Sequence, residues 1–329
     1  MTRAAAIDCG TNSIRLLIAD IDDGVIRDRE RIMRIVRLGQ GVDRTGRLDD
    51  AALERTFTAA SEYAALCDKH QVEAVRFVAT SATRDAENRG EFVAGIRARL
   101  GVEPEVVSGE EEARLSFMGA LSVLPGSPDE ASLVVDIGGG SSELVLGYEA
   151  PVSQYSMNIG CVRMSERHLA GEAANPGPLH IDHLRTDPPS SEQIAAATRD
   201  IEAALDDAEQ VVDLGATARL IGLAGSVTTV TAHALGLPRY DSAAIDGTHL
   251  SIERIHASCQ AFIEATRAER EAMGFLHPGR VDVIAAGALV WDRIVSRVAQ
   301  RVAEQGRELS GASTSEHDIL DGIALSVGQ

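Results

Sequence analysis

Hydrophobic positions in the first half of the chain switch between an alternation of two and a spacing of three to four, which predicts strands and helices in turn. Ala4 to Asp20 reads as a hairpin with a polar, glycine-bearing centre, and Glu30 to Arg37 as a third strand. Leu48-Asp49-Asp50 opens a helix in which Leu53, Phe57, Ala60, Tyr63, Ala64 and Cys67 recur at helical spacing as far as His70. Val72 to Thr80 is β-rich and ends in the polar run Ser81 to Asp85. Asn88 to Leu100 reads as a helix, Glu105 to Ser108 as a short strand, and Gly109 to Leu121 as another helix. Pro125-Gly126-Ser127-Pro128 then breaks the pattern and marks a domain boundary.

Beyond the break the rhythm restarts. A second hairpin spans Val134 to Leu146, a third strand lies near Val152 to Asn158, and a helix runs from Arg163 to Ala170. A Pro/Gly-rich stretch, Gly171 to Ser190, precedes a long helix, Ser191 to Leu214, with Ile194, Ala197, Ile201, Leu205, Ala208 and Val212 on one face. Arg219 to Ala224 is a strand closing on Gly225-Ser226, and Val227 to Ala234 begins the next helix; Ser251 to Leu325 reads as mostly helical and is expected to pack over the second domain. Two α/β halves that each open with a hairpin predict a duplicated fold: mixed sheets flanked by helices, domains at 1–125 and 126–314, and a cleft between them.

The two hairpins align without a gap, Asp8 on Asp136, Gly10 on Gly138, Ser13 on Ser141 and Leu16 on Leu144. Gly138, Gly139 and Gly140 leave no Cβ to keep a phosphate from the backbone amides, and such a run is entropically costly unless that access is needed. A tight hairpin turn is the plainer use of the glycines, and the repeat argues against it. The expected donors are the amides of Cys9, Gly10, Thr11, Asn12 and Ser13 and those of Gly138 to Ser142, with the Ser13 and Ser141 hydroxyls and the Asn12 side chain. Asp8 and Asp136 both end buried strands, where an unpaired carboxylate is expensive, so a metal ion such as Mg²⁺ held through waters is one expected partner and capping of the turn is the other.

Glu110, Glu111 and Glu112 open a helix whose dipole favours acidic residues there, and that helix leads directly into the hairpin carrying Glu143. Phosphoanhydride hydrolysis needs a carboxylate to orient and deprotonate water, and cationic charge on the phosphoryl oxygens. Glu112 and Glu143 offer a base and a metal ligand; Arg84, after a strand's C-terminal end, offers the charge. Arg163 at a helix start could reach phosphate. Cys161 lacks an activating pair and reads as a small buried residue, while His180-Ile181-Asp182-His183 reads as solvated surface.

At 329 residues and 44% hydrophobic, the chain suits two ordinary domains. A net charge of −19 argues against a general nucleic-acid binder or a basic membrane-surface protein, so a polyanion must meet local cations, amides or a metal. No apolar run reaches membrane-spanning length, and no signal peptide is read at the N-terminus. Four scattered cysteines without a C-x-x-C pair suggest reduced thiols in a cytoplasmic protein.

Six ordered segments, Ala6 to Asp20 (AIDCGTNSIRLLIAD), Ala79 to Asn88 (ATSATRDAEN), Ser108 to Ala120 (SGEEEARLSFMGA), Val134 to Gly147 (VVDIGGGSSELVLG), Asn158 to Glu166 (NIGCVRMSE) and Gly222 to Val230 (GLAGSVTTV), closely resemble the exopolyphosphatase and guanosine pentaphosphate phosphohydrolase (Ppx/GppA) family of the actin, Hsp70 and sugar-kinase superfamily. The resemblance implies a duplicated actin-like (ribonuclease H-like) fold. It places the catalytic glutamate at Glu112 with Glu111 beside it, adds Glu143 as catalytic and metal-binding, and sets Asp8 and Asp136 near Mg²⁺, with Mn²⁺ as a substitute. Both glycine turns, Arg84 and Arg163 fall on the substrate phosphates. Ser315 to Gly322 looks like the family's closing helix, so a terminal helix near 315–329 is expected to return to the first domain. Ser142 stands where the family often has threonine, and Gly225-Ser226 where many members have threonine after the glycine. A nucleotide contact near Gly225 is permitted, with a tight strand-to-helix turn as the plainer use. The implied activity is a short-chain exopolyphosphatase. The alternatives are a guanosine pentaphosphate 5′-phosphohydrolase of the stringent response, a non-catalytic polyphosphate or alarmone sensor, and a sugar or acid kinase. The apolar, arginine-bearing stretch from Val281 to Val302 offers a face for a homodimer.

Overall fold

In the computed structural model, which describes residues 1–169 and 186–327, each hairpin seeds its own sheet. The first sheet is built from β1 (Thr2–Cys9), β2 (Ser13–Asp22), β3 (Val25–Ile35), β4 (Ala74–Ala79) and β5 (Glu105–Val106) in the order β3-β2-β1-β4-β5. β1, β2 and β3 pair antiparallel, and β4 and β5 add in parallel. Helices α1 (Val42–Thr45), α2 (Asp50–His70), α3 (Ser81–Asp85), α4 (Arg89–Leu100) and α5 (Gly109–Leu121) complete this part. The Asp49 side chain caps α2 by accepting from the Ala51 and Ala52 amides, which satisfies two donors that a helix start otherwise leaves open. Ile7, Ile14, Leu16 and Ile18 on one sheet face pack with Tyr63, Phe77 and Phe92 to form the core.

The second sheet repeats the plan. β6 (Ser132–Ile137), β7 (Ser142–Gly147) and β8 (Pro151–Met157) pair antiparallel, as the first three strands do. α6 (Cys161–Met164) continues into a wider π turn, Ser165–Leu169; α7 (Ser191–Ala208), β9 (Arg219–Leu223), α8 (Ala224–Ala234), α9 (Ser242–Ile245), β10 (His249–Ser251), α10 (Ile252–Glu264), α11 (Arg267–Glu271), α12 (Ile284–Glu304) and β11 (Gly311–Thr314) follow. β9 joins β6 in parallel, giving the order β10-β11-β9-β6-β7-β8. The run β3-β2-β1-β4 thus has its counterpart in β8-β7-β6-β9 with the same strand senses. Two mixed sheets flanked by helices on one repeated plan make a duplicated, actin-like α/β fold.

The chain divides into one unit of Met1–Pro125 with the segment from His317 onward, and a second unit of Gly126–Glu316. The last helix, α13 (Ile319–Leu325), lies in the first unit. There it packs on α5 so closely that a methyl on Gly322 would sit 1.9 Å from the Leu115 carbonyl oxygen, and one on Gly119 1.8 Å from that of Asp318. Asp321, fully buried, is held by Arg31 of β3 at 2.6 and 3.1 Å and by His317 at 2.9 Å.

The stretch after Ser251 is mostly helical, as expected, with one strand added: β11 enters the second sheet between β10 and β9, and a four-residue Gly-Ala-Ser-Thr strand is too short to show a period. Two expectations change. α7 ends at Ala208, short of Leu214. The homodimer face on Val281 to Val302 is also corrected, since Leu289, Trp291, Ile294, Val295, Val298 and Val302 of α12 are buried in their own unit. Two of its arginines are spent on α7 and the residue that caps it: Arg297 pairs with Glu202 at 2.5 Å and Asp206 at 2.8 Å, and Arg301 with Glu209 at 2.7 Å. No described helix is long and apolar enough to cross a membrane. His180 to His183 lies outside the described residues.

Candidate active site

Both glycine turns are stitched down by their carbonyl groups. In the first, the Asn12 carbonyl accepts from the Val36 and Arg37 amides at 3.0 and 2.9 Å, and that of Thr11 from Gly39 at 2.8 Å. In the second, the Gly139 carbonyl accepts from Val162 and Arg163 at 2.9 and 3.1 Å, and that of Gly138 from Cys161 at 3.0 Å. With the carbonyls drawn to one side, the amides of Thr11, Asn12, Gly139 and Gly140 have no acceptor among the described residues. A turn that leaves successive amides open is a nest for an anion. Gly160 allows the second turn's close stitching, because a methyl there would stand 2.5 Å from the Gly139 oxygen.

The Gly39 amide on the Thr11 carbonyl has its counterpart in the Val162 amide on the Gly139 carbonyl. Arg163 donates from Nε to the Gly140 carbonyl at 2.7 Å, so it lies against its turn. Arg37, which the sequence reading passed over, donates its amide to the Asn12 carbonyl at 2.9 Å with a left-handed φ of 52°.

At the strand ends the two copies differ in the charge at one position. Asp8 faces Arg15 across β1 and β2, and at the equivalent place Asp136 faces Glu143 across β6 and β7. Asp8, 4% exposed, accepts from Arg15 Nη2 and Nε at 2.6 and 2.9 Å through Oδ2, and Arg15 also binds Asp318. Asp8 therefore has a cationic partner within the protein, which the sequence reading did not foresee; its Oδ1 is buried without a hydrogen bond among the described residues. Burial pushes the Asp8 carboxyl above its usual range, and Arg15 offsets only part of this.

Asp136 and Glu143 are 7% and 1% exposed, and Glu143 Oε1 accepts from Ser156 at 2.7 Å. Like charges directly opposite on paired strands repel, so this pair gains from a cation. Among the described residues no three His, Cys, Asp or Glu side chains gather as metal ligands. Two carboxylates nevertheless fit Mg²⁺, which commonly takes one or two, with waters and substrate phosphates completing its shell.

Glu112 and Glu111 separate clearly. Ser108 caps α5 through the Glu111 amide, and the helix start holds Glu112 at 7% exposure. Glu112 Oε2 accepts from Arg84 Nη1 at 3.0 Å, and the same nitrogen donates to the Val107 carbonyl at 3.0 Å. Glu111 turns the other way, to Arg114 at 2.8 Å and Arg76 at 3.3 Å; the Arg114 hydrogen bond above all holds its carboxyl below the usual range. In the first unit the structure thus gathers Glu112 with Arg84 and leaves Glu111 on an arginine pair outside that contact.

Gly225 has a use other than a nucleotide contact. Its bare Cα admits the Arg280 guanidinium, whose Cζ would stand 2.0 Å from a methyl there and whose Nη1 donates to the Gly225 carbonyl at 3.1 Å. All four cysteines are free and buried, and burial pushes the Cys161 thiol up, away from nucleophilic use.

The family model for the Ppx/GppA phosphatase family matches residues 17–305. A protein of Mycobacterium tuberculosis named exopolyphosphatase 2 is 44% identical over 99% of both chains. The crystal structure of an exopolyphosphatase-like protein, 46% identical, superposes with a TM-score of 0.91 over 98% of this chain and 97% of its own. The Aquifex aeolicus PPX-GPPA enzyme, 29% identical, gives 0.76 over 99% of both. Paired glycine turns, the buried Glu112 and agreement along nearly the whole length lead to one conclusion: the chain belongs to the Ppx/GppA phosphatase family.

Proposed function

We propose that this chain is an exopolyphosphatase that hydrolyses the terminal phosphoanhydride of inorganic polyphosphate and releases orthophosphate. The observation that carries this reading is the pair of turns whose carbonyls are tied back while their amides stay open, which suits a chain of phosphates. The groups that suit this reaction are, within the first unit, Glu112, Arg84 and the amides of Thr11 and Asn12 and, within the second, Asp136, Glu143, Arg163 and the amides of Gly139 and Gly140. Glu112 takes a proton from the attacking water as its oxygen bonds to the terminal phosphorus, and the bridging P–O bond breaks toward the shortened chain. Burial beside Arg84 suits Glu112 to this role better than Glu111, whose two arginines lower its basicity. Asp136 and Glu143 would hold Mg²⁺, or Mn²⁺ in its place, which when bound offsets phosphoryl charge.

Hydrolysis of guanosine pentaphosphate would use the same groups. The exopolyphosphatase name of the 44% identical relative favours polyphosphate. A preference for short chains and a cytoplasmic setting, with all four thiols reduced, complete the proposal. Glu112→Gln and Glu143→Gln test it: orthophosphate release should fall at least about a hundredfold in each while thermal unfolding stays put. A Glu112→Gln protein with full activity would overturn the reading.

A further inference from the structure

Arg84 stands where two demands meet. It follows β4 on the short helix α3, where its amide donates to the Thr80 carbonyl at 3.0 Å, and β5 brings Val107 alongside through the Val107 amide and the Ala79 carbonyl at 3.1 Å. One nitrogen, Nη1, does all the side chain's bonding among the described residues: to Val107 and to Glu112, each at 3.0 Å. Nε and Nη2, the other edge of the planar fork, have no partner among the described residues, and the side chain keeps 24% of its surface exposed. A guanidinium fixed by one corner with a two-donor edge open is shaped to take a pair of phosphoryl oxygens.

We propose that Arg84 is shared between substrate and base, so that phosphate arriving on its open edge loosens its hold on Glu112. In the free protein the guanidinium offsets the cost of a nearly buried carboxylate. When a phosphoryl group takes up that positive charge, Glu112 loses part of its stabilisation as an anion and becomes a stronger base at the moment a water must be deprotonated. Arg84 is thereby a positioning residue for Glu112 as well as a ligand for the phosphate. This inference rests on the phosphohydrolase reading of the site.

A double-mutant cycle in binding tests it. The probe is a methylene-bridged triphosphate, which cannot be hydrolysed, titrated calorimetrically into the full chain with Mg²⁺ present. Glu112→Gln should bind it about tenfold tighter than the parent, because Arg84 no longer divides its charge. In an Arg84→Ala background the same Glu112→Gln change should alter affinity by less than about twofold. An equal gain in both backgrounds would show plain repulsion between Glu112 and the phosphates and would overturn the sharing. Should Arg84→Ala fail to fold, Arg84→Lys replaces it: the lysine keeps the charge without the second edge, and a Glu112→Gln gain there as large as in the parent contradicts the proposal. Binding by none of the four proteins would sink the phosphohydrolase reading itself and this inference with it, an outcome distinct from binding without coupling.

Discussion

Asp8 and Arg15 show how one residue alters a duplicated motif. Asp8 sits at the end of a buried strand, and a guanidinium shared with Asp318 compensates it. Removing one partner of a buried ion pair leaves an uncompensated charge, so Arg15→Ala should cost about 3–5 kcal/mol of stability. Urea unfolding measures this, and adding Asp8→Asn to the Arg15→Ala protein should recover part of the loss by removing a stranded carboxylate. A double variant no more stable than Arg15→Ala would contradict the pairing. The gapless repeat already set Arg15 opposite Glu143 in the alignment. What the sequence did not show was the cross-strand register that puts Arg15 beside Asp8, nor a partner at Asp318, 303 positions further on. In the second unit the same position keeps an acid facing an acid, and the proposed cation is assigned to Asp136 and Glu143 on that ground.

At the scale of elements, α13 is fastened to the first sheet by buried charge and to α5 by backbone contact at two glycines. Burial alone would raise the Asp321 carboxyl, but hydrogen bonds from His317 and Arg31 outweigh it and hold the group at about 2. A carboxyl depressed on folding stabilises above its unfolded value near 3.8, and this support is lost as pH falls through the folded value. Asp321→Asn should therefore cost about 2 kcal/mol at neutral pH and flatten the fall in stability between about pH 4 and 2, followed by denaturant titration across that range. An unchanged acid profile would show that the pair does not fasten the helix. Legibility at this scale followed period and length. The α2 and α5 helices and both hairpins were plain from spacing and capping residues, whereas β10 and β11 were too short to carry a pattern. α12 was recognised as an apolar helix with arginines, but its partners Glu202, Asp206 and Glu209 sit some ninety residues earlier, so its surface appeared available when it was not.

For the whole molecule, the duplication organises everything else. Two hairpins and two stitched turns give each unit an anion nest, while the differing partners of Asp8 and Asp136 give the units different charge. In the proposed reading a chain carrying −19 meets a polyanion locally, through amides, Arg84 and Arg163. The measurement that bears most directly on this account is parallel release of orthophosphate from tripolyphosphate, from long-chain polyphosphate and from guanosine pentaphosphate, with Mg²⁺ present throughout. The account predicts release from polyphosphate, fastest on the short chain and slower on the nucleotide. Turnover of guanosine pentaphosphate with none of either polyphosphate would contradict it.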